Sequence, residues 1–135
     1  MKTNELMLGD IITFKDSIEI DEIPVPVKVI ALGYQHHGNE NEALVKIGDE
    51  ETCDIVTIDD DFVGYPLTAE ILEKNGFKDS QFFAELLYRE WQIICDCAHL
   101  AIRHEGGWSI NIPCNFVHEL QHALRLCGIE KEIVL

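Results

Sequence analysis

An amphipathic segment near the end of the chain limits the possible folds more than any other feature. Its apolar side chains recur at spacings of three and four residues, which is the period of one helix face. They are Val117, Leu120, Leu124 and Cys127, with Phe116 and Ala123 widening the stripe. A helix of this kind buries its apolar face against another element. We predict its N-cap at Asn115 and its end at Gly128.

The first half of the chain is predicted to form short strands separated by turn residues. Pro24 and Pro26 restrict the start of the second strand to a sheet edge, because proline cannot donate to a ladder. Strands this short predict a strongly bent antiparallel sheet that approaches a small barrel. The predicted strands are residues 11–14, 25–32, 43–47 and 52–58, and the predicted polar loop is 34–41.

The second half is predicted to open with a short helix. Thr68 is its N-cap, and Glu70 complements the helix dipole in the first turn. Asn75 and Gly76 end the helix, since glycine readily adopts the left-handed conformation. The side chain of Phe77 can then fold back onto the helix.

Residues 79–91 fit either a helical stripe or a strand. We favour a strand, because the segments that follow are strands and connections are usually short. Residues 92–112 are predicted to form a hairpin with its turn at 105–107, and residues 133–135 a terminal strand. The predicted fold is therefore α+β: a bent antiparallel sheet packed on a C-terminal amphipathic helix.

The length of 135 residues favours a single domain. A change in composition near 64–66 divides it into an acidic, β-rich part of about residues 1–64 and a helix-hairpin-helix part of about 65–135. The net charge is −15. Residues 1–61 carry 15 acids and 4 bases, a net of −11, and residues 62–135 carry 10 acids and 6 bases, a net of −4.

This charge opposes direct binding to nucleic acid, whose phosphates require Lys and Arg. It suits a basic protein partner, while a second effect of such charge is solubility. The chain begins with polar and acidic residues and has no apolar run long enough for a membrane span. We therefore expect a cytoplasmic protein without membrane association, in which the five cysteines are reduced.

Three motifs resemble those of a group of short, uncharacterised proteins from gut Bacteroidetes, their phages and their integrative elements. They are Asn-Glu-Leu-x-x-Gly-Asp at 4–10, Pro-Leu-Thr-x-x-Ile-Leu-Glu-Lys-Asn-Gly-Phe at 66–77 and Val-His-Glu-Leu-Gln at 117–121. The resemblance implies a phage or mobile-element setting and supplies no activity. It does not extend to residues 78–112.

One pattern points to metal chemistry. His118, Glu119 and His122 match H-E-x-x-H, in which two histidines four residues apart hold zinc and the glutamate acts as general base. A zinc protease also needs a third protein ligand, and the expected downstream positions hold Arg125 and Gly128. The apolar stripe places His118, Glu119, His122 and Arg125 on the polar side of the helix. A zinc-dependent hydrolase is the alternative function. The competing interpretation is that a solvated helix face matches the motif by chance.

The cysteines suggest a second metal candidate. Cys95, Cys97 and His99 alternate, so they would share one face of a strand, and Cys114 could approach from a neighbouring strand. Packing is the competing interpretation, since free cysteine behaves as a small hydrophobe. Cys114 also precedes the helix four residues before His118, but no third group or oxyanion site is visible for a dyad.

Two remaining features carry no chemistry of their own. His36 and His37 lie in a polar loop, where adjacent side chains point in different directions. The run from Glu40 to Asp61 holds 9 acids and one base, Lys46, without the alternating spacing of a calcium loop. We predict a non-catalytic binding or adaptor protein that acts through this acidic surface and uses no cofactor.

Overall fold

The computed structural model describes residues 1, 5–19, 23–32, 41–79, 83–96 and 98–135. The chain divides into two compact units, Met1–Tyr65 and Pro66–Leu135. Each unit contains one five-stranded antiparallel sheet, and the main helix lies in the second unit. The predicted α+β class is confirmed, although the strands belong to two sheets. Neither sheet is closed into a barrel within the described ranges. That the chain is a single domain stays a prediction.

The first unit contains five strands in the order β4-β3-β2-β1-β5. Strand β2 begins directly after Pro26 and lies in the middle of the sheet, so the predicted edge position is wrong. The reason is that both prolines precede the strand, where no ladder N–H is required. The polar loop predicted at 34–41 lies outside the described residues except for Asn41. The elements are β1 (Ile11–Phe14), α1 (Lys15–Glu19), β2 (Val27–Leu32), β3 (Glu42–Ile47), β4 (Asp54–Thr57) and β5 (Phe62–Gly64).

A short connection forces this first sheet to bend strongly. Strands β4 and β5 lie at opposite edges, and only residues 58–61 join them. Across a flat sheet the four strand spacings would separate the edges by about 19 Å. The five Cα steps from Thr57 to Phe62 span at most about 18 Å when fully extended. This link is not extended, because the N–H of Phe62 donates to the carbonyl of Asp59 at 3.2 Å.

The core of the first unit collects the inward side chains of this bent sheet. Ile12, Val27, Val29, Ala43 and Val45 are completely buried, and they come from the three central strands. Leu6, Ile58 and Phe62 complete the cluster. A register shift between Val29 and Ala31 where β2 pairs with β3 adds local twist, which favours the bend.

The second unit is a meander of five strands between two helices. Its strand order is β10-β9-β8-β7-β6, so each strand pairs with its neighbour in sequence. The strand preferred for residues 79–91 is confirmed by β7. The predicted hairpin is formed by β9 and β10, with Ile102 opposite Ile110, but it begins at His99 because the start of the predicted range belongs to the separate strand β8. The elements are α2 (Ala69–Lys74), β6 (Lys78–Asp79), β7 (Ala84–Tyr88), β8 (Trp91–Cys95), β9 (His99–His104), β10 (Ser109–Pro113) and α3 (Val117–Leu126).

The amphipathic helix α3 forms as predicted, apart from its N-cap. Val117, Leu120 and Leu124 are buried, and the chain leaves the helix at Gly128 with φ 72°, a left-handed conformation that glycine adopts without strain. The N-cap is Phe116, one residue later than the predicted Asn115. On the sheet, the buried residues Ile93, Leu100 and Ile102 supply the other apolar surface of this unit.

The end of helix α2 holds the end of the chain through a buried amide. The Thr68 hydroxyl caps the helix by accepting the Ile71 N–H at 3.2 Å, as predicted. The side-chain amide of Asn75, which is 1% exposed, donates to the carbonyls of Ile71 at 2.7 Å and Val134 at 2.6 Å. Its oxygen accepts the Val134 N–H at 2.8 Å. The strand predicted at 133–135 is wrong. The backbone of Val134 forms its hydrogen bonds with the Asn75 side chain and not with a neighbouring strand.

We expect Asn75→Ala to lower the free energy of unfolding by about 2–4 kcal/mol, because the buried amide makes three hydrogen bonds and the backbone N–H and carbonyl of Val134 lose this partner. Urea unfolding monitored by tryptophan fluorescence measures the change. Asn115→Ala is the control, since Asn115 is exposed, and its effect should stay within about 0.5 kcal/mol. Equal effects of the two substitutions would contradict the role given to the buried amide.

Candidate functional site

The H-E-x-x-H segment lies in the first turns of α3, and the position predicted for His118 on the polar side of the helix is wrong. His118 is buried at 8% exposure, and Glu119, His122 and Arg125 are half-buried. The His118 ring stacks on the Phe116 ring, with centroids 5.8 Å apart and planes 12° apart. The His118 and His122 centroids lie 5.7 Å apart at an interplanar angle of 76°. His118 therefore serves the packing of the helix start, which its hydrophilic character concealed in the sequence.

Glu119 stabilises the start of helix α3. Its Oε1 accepts the N–H groups of Asn115 at 3.0 Å and Phe116 at 3.1 Å, while its own N–H donates to the Phe116 carbonyl at 3.2 Å. This is the glutamate half of a capping box, and it compensates for an N-cap residue without a polar side chain. A general base in a zinc hydrolase would instead direct its carboxylate at a metal-bound water.

The two histidines are not joined by a third ligand in the part of the chain that the structure describes. No group of three or more His, Cys, Asp or Glu side chains there could hold a metal ion. A zinc site with three protein ligands needs such a group, so the described arrangement around His118 and His122 does not fit one.

A turn separates the residues of the metal site suggested by the cysteines. Cys95 ends β8 and His99 begins β9, so they do not alternate on one strand, and Cys97 lies outside the described residues. Asp96 closes the turn: its Oδ1 accepts the N–H groups of Ala98 at 2.9 Å and His99 at 2.6 Å. These two hydrogen bonds lower the pKa of the Asp96 carboxyl. The shared strand face predicted for these residues is therefore wrong.

Cys114 is completely buried just before α3. Its Sγ lies 4.0 Å from the Phe116 carbonyl oxygen, within the looser range of a thiol hydrogen bond. The packing interpretation is thus the one that its surroundings favour, because a buried thiol in apolar surroundings is chemically inert.

Exposed acids flank strand β4 on both sides. In the described part of the chain β4 pairs only with β3, so its other edge is open. The turn before β4 and the link after it each carry three exposed carboxylates, and Asp54 adds one at the start of the strand. The six are Asp49, Glu50, Glu51, Asp59, Asp60 and Asp61. We name these seven acids the β4 acidic surface.

Few cations lie near enough in sequence to neutralise this surface. The first unit contains four lysines and no arginine. Of the described lysines Lys15 is exposed, while Lys28 and Lys46 are half-buried. The amino group of Met1 lies 3.7 Å from Asp60 Oδ1, and Asp59 Oδ1 accepts the Asp61 N–H at 2.9 Å. The remaining carboxylates of the surface leave a strongly negative field.

A shallow groove of about 380 Å³ lies at one end of the second sheet. Two arginines and three glutamates mix both charges in its lining, and Gln92 donates to Glu85 at 3.0 Å. Arg89 occupies a hairpin turn with φ 53°, a conformation that costs a residue with a side chain about 1 kcal/mol or more. Cross-strand neighbours build this groove, so no local sequence motif signals it. Its charged lining is Glu85, Arg89, Glu90, Arg103 and Glu105.

The chain matches no family model, no curated protein and no solved structure. In the ranges that the structure describes, no helix has the length and apolar character needed to cross a membrane. His36 and His37 lie outside these ranges.

The cap predicts a difference between two Glu119 substitutions. Glu119→Ala should lower the free energy of unfolding by about 1 kcal/mol, because two N–H groups at the helix start lose their acceptor. Glu119→Gln should retain most of the stability, since the amide oxygen can accept the same bonds. Thermal unfolding measures both. If Gln destabilised the fold as much as Ala, the carboxylate would not act as a cap through hydrogen bonding.

The cysteines should differ in reactivity. Cys53 is exposed, whereas Cys95, Cys114 and Cys127 are buried, and burial also raises the pKa of the Cys127 thiol. We expect a thiol reagent applied to the native protein to modify Cys53 at least about tenfold faster than these three, because the reactive thiolate must be accessible. Peptide mass spectrometry after a short labelling time measures each rate. Comparable labelling of Cys114 would contradict its buried position.

Proposed function

We propose that the protein is a non-catalytic binding protein whose β4 acidic surface recognises a basic protein. The observation that carries this proposal is the position of seven exposed carboxylates around one strand. Charges concentrated in this way attract a partner of opposite sign and speed its association. The same field repels phosphate backbones, which favours a protein partner over nucleic acid.

Two further observations support a binding role over catalysis. Glu119, the residue that would act as the base of the zinc hydrolase, holds the backbone of its own helix start. The resemblance to phage and mobile-element proteins favours a small adaptor that acts on a host or phage protein. A basic partner of this kind would ordinarily bind nucleic acid and could be blocked by an acidic competitor.

A charge-removal variant tests the proposal. Glu50, Glu51 and Asp61 are exposed acids whose side chains are not used in the hydrogen bonds described above. They would be replaced with Gln, Gln and Asn. The matched control removes three exposed acids of the second unit, through Glu73→Gln, Asp79→Asn and Glu130→Gln. Both variants have the same net charge, so any difference reports the position of the charges.

The native protein and both variants would be immobilised and exposed to an extract of the native host, and captured proteins identified by mass spectrometry. The affinity of a purified captured protein would then be titrated at several salt concentrations. We expect a basic protein whose affinity falls with salt and drops about tenfold in the first variant. The control variant should bind almost as the native protein does.

Equal binding by the two variants would contradict the proposal, because position would then be irrelevant. An affinity that does not change with salt would contradict it as well.

A further inference from the structure

The two sheets have four edge strands, of which two contain charged residues and a third directly follows one. Strand β4 is surrounded by the β4 acidic surface, and β5 directly follows Asp61. Strand β6 consists of Lys78 and Asp79 alone. Strand β10 is different, because residues 106–118 contain no Asp, Glu, Lys or Arg, the longest such run in the chain. In a protein with 26% charged residues, this edge lacks the charged side chains that usually protect an open strand.

The open edge of β10 is accessible and partly apolar. In the described part of the chain β10 pairs only with β9. Ser109, Ile110 and Asn111 are exposed, Ile110 at 38%, and Trp108 beside them is 45% exposed. An accessible strand without charge or bulge is a template for another strand.

The hydrogen-bond pattern shows which backbone groups of β10 point outward. The N–H of His104 donates to the carbonyl of Trp108, and the N–H of Cys114 donates to the carbonyl of Ala98. In an antiparallel pair, hydrogen-bonded positions alternate. Trp108, Ile110, Ile112 and Cys114 therefore face β9, whereas the backbone groups of Ser109, Asn111 and Pro113 face away.

This alternation explains why proline is tolerated at position 113. Its missing N–H falls at an outward position, so the ladder with β9 loses nothing. The outward edge keeps the donors of Ser109 and Asn111 and the acceptors of all three residues. If Asn111 lies opposite its own copy, the two Asn111 residues exchange two hydrogen bonds, and each Ser109 donates one to a Pro113 carbonyl.

Because β10 complements itself about Asn111, a second copy of this chain is the occupant that fits the edge, and the distribution of charge permits the contact. With a net charge of −15, two copies repel wherever acidic surfaces meet. Among the described edge strands, only β10 has no charged residue either within it or directly beside it in sequence. The pairing also places Ile110 opposite Ile112 of the other copy, a favourable β-branched cross-strand pair.

We propose that the protein self-associates through antiparallel pairing of β10 with β10 of a second copy, which joins two sheets into one across a twofold axis. The pairing is isologous, so it stops at the dimer. It does not depend on the proposed function. Because salt screens the repulsion between the acidic copies, the dimer strengthens as salt rises, whereas binding of a basic partner weakens.

Sedimentation velocity of the full chain over a wide range of protein and salt concentrations tests the proposal. The decisive variant is Asn111→Pro, which removes one outward donor per copy and leaves the ladder with β9 intact. We expect its dimer to be about thirtyfold weaker, the effect of two lost hydrogen bonds. Asn111→Ala is the matched control, because it keeps the N–H, and it should dimerise as the native chain does.

A second variant tests the same edge independently, in case proline at position 111 changes the local fold. Ile110→Lys places a charge on the edge and should also give a monomer, while Leu126→Lys alters a side chain that is 68% exposed elsewhere and should not. Circular dichroism and thermal unfolding confirm that all four variants fold. A native chain that stays monomeric at every concentration would overturn the proposal, as would Asn111→Pro dimers of native strength or a dimer that weakens as salt rises.

Discussion

The buried amide of Asn75 holds the second unit together at the point where secondary structure ends. Because the amide both donates to and accepts from the backbone of Val134, it offers the closing segment the pair of bonds that a neighbouring strand would have given. Ile133, beside it, is 4% exposed. One polar side chain thus lets an irregular segment enter an apolar core without leaving its backbone groups unsatisfied. The position of this segment depends on the amide more than on its own propensity.

The distribution of charge gives the sheet edges different physical characters. Repulsion between carboxylates protects the open edge of β4 from pairing with itself, and the same carboxylates make it attractive to cations. The edge of β10 has no charged side chains that would repel a second copy or attract cations. A neighbouring strand can contact only its backbone and its uncharged side chains. The two edges lie in different units, so a single chain presents two chemically distinct surfaces. The interactions proposed for them would respond to ionic strength with opposite sign.

Periodic patterns in the sequence predicted most elements, whereas features made by distant residues escaped prediction. The stripe of α3, the Thr68 cap and the β9–β10 hairpin follow from spacings of a few residues, which local geometry determines. The burial of His118 did not follow, because a polar residue type in a helix says nothing about the aromatic ring it stacks on. The H-E-x-x-H pattern indicates a general base at Glu119, whereas the carboxylate caps the helix start because the N-cap residue, Phe116, has no polar side chain. The groove of mixed charge in the second sheet is lined by residues of three strands, β7, β8 and β9, which only their pairing brings together.

The four-residue link between β4 and β5 has a consequence for how the chain can change in length. The link already contains a turn and must return the chain from one edge of the sheet to the other. Removing one residue would therefore require the sheet to curl further or β5 to separate from β1. An added residue would instead relax the curvature on which the burial of Ile12 and Val27 depends. The turn between β3 and β4 joins adjacent strands, so its length does not limit how far the sheet must bend. Insertions and deletions in homologous chains should therefore gather at that turn and spare the link.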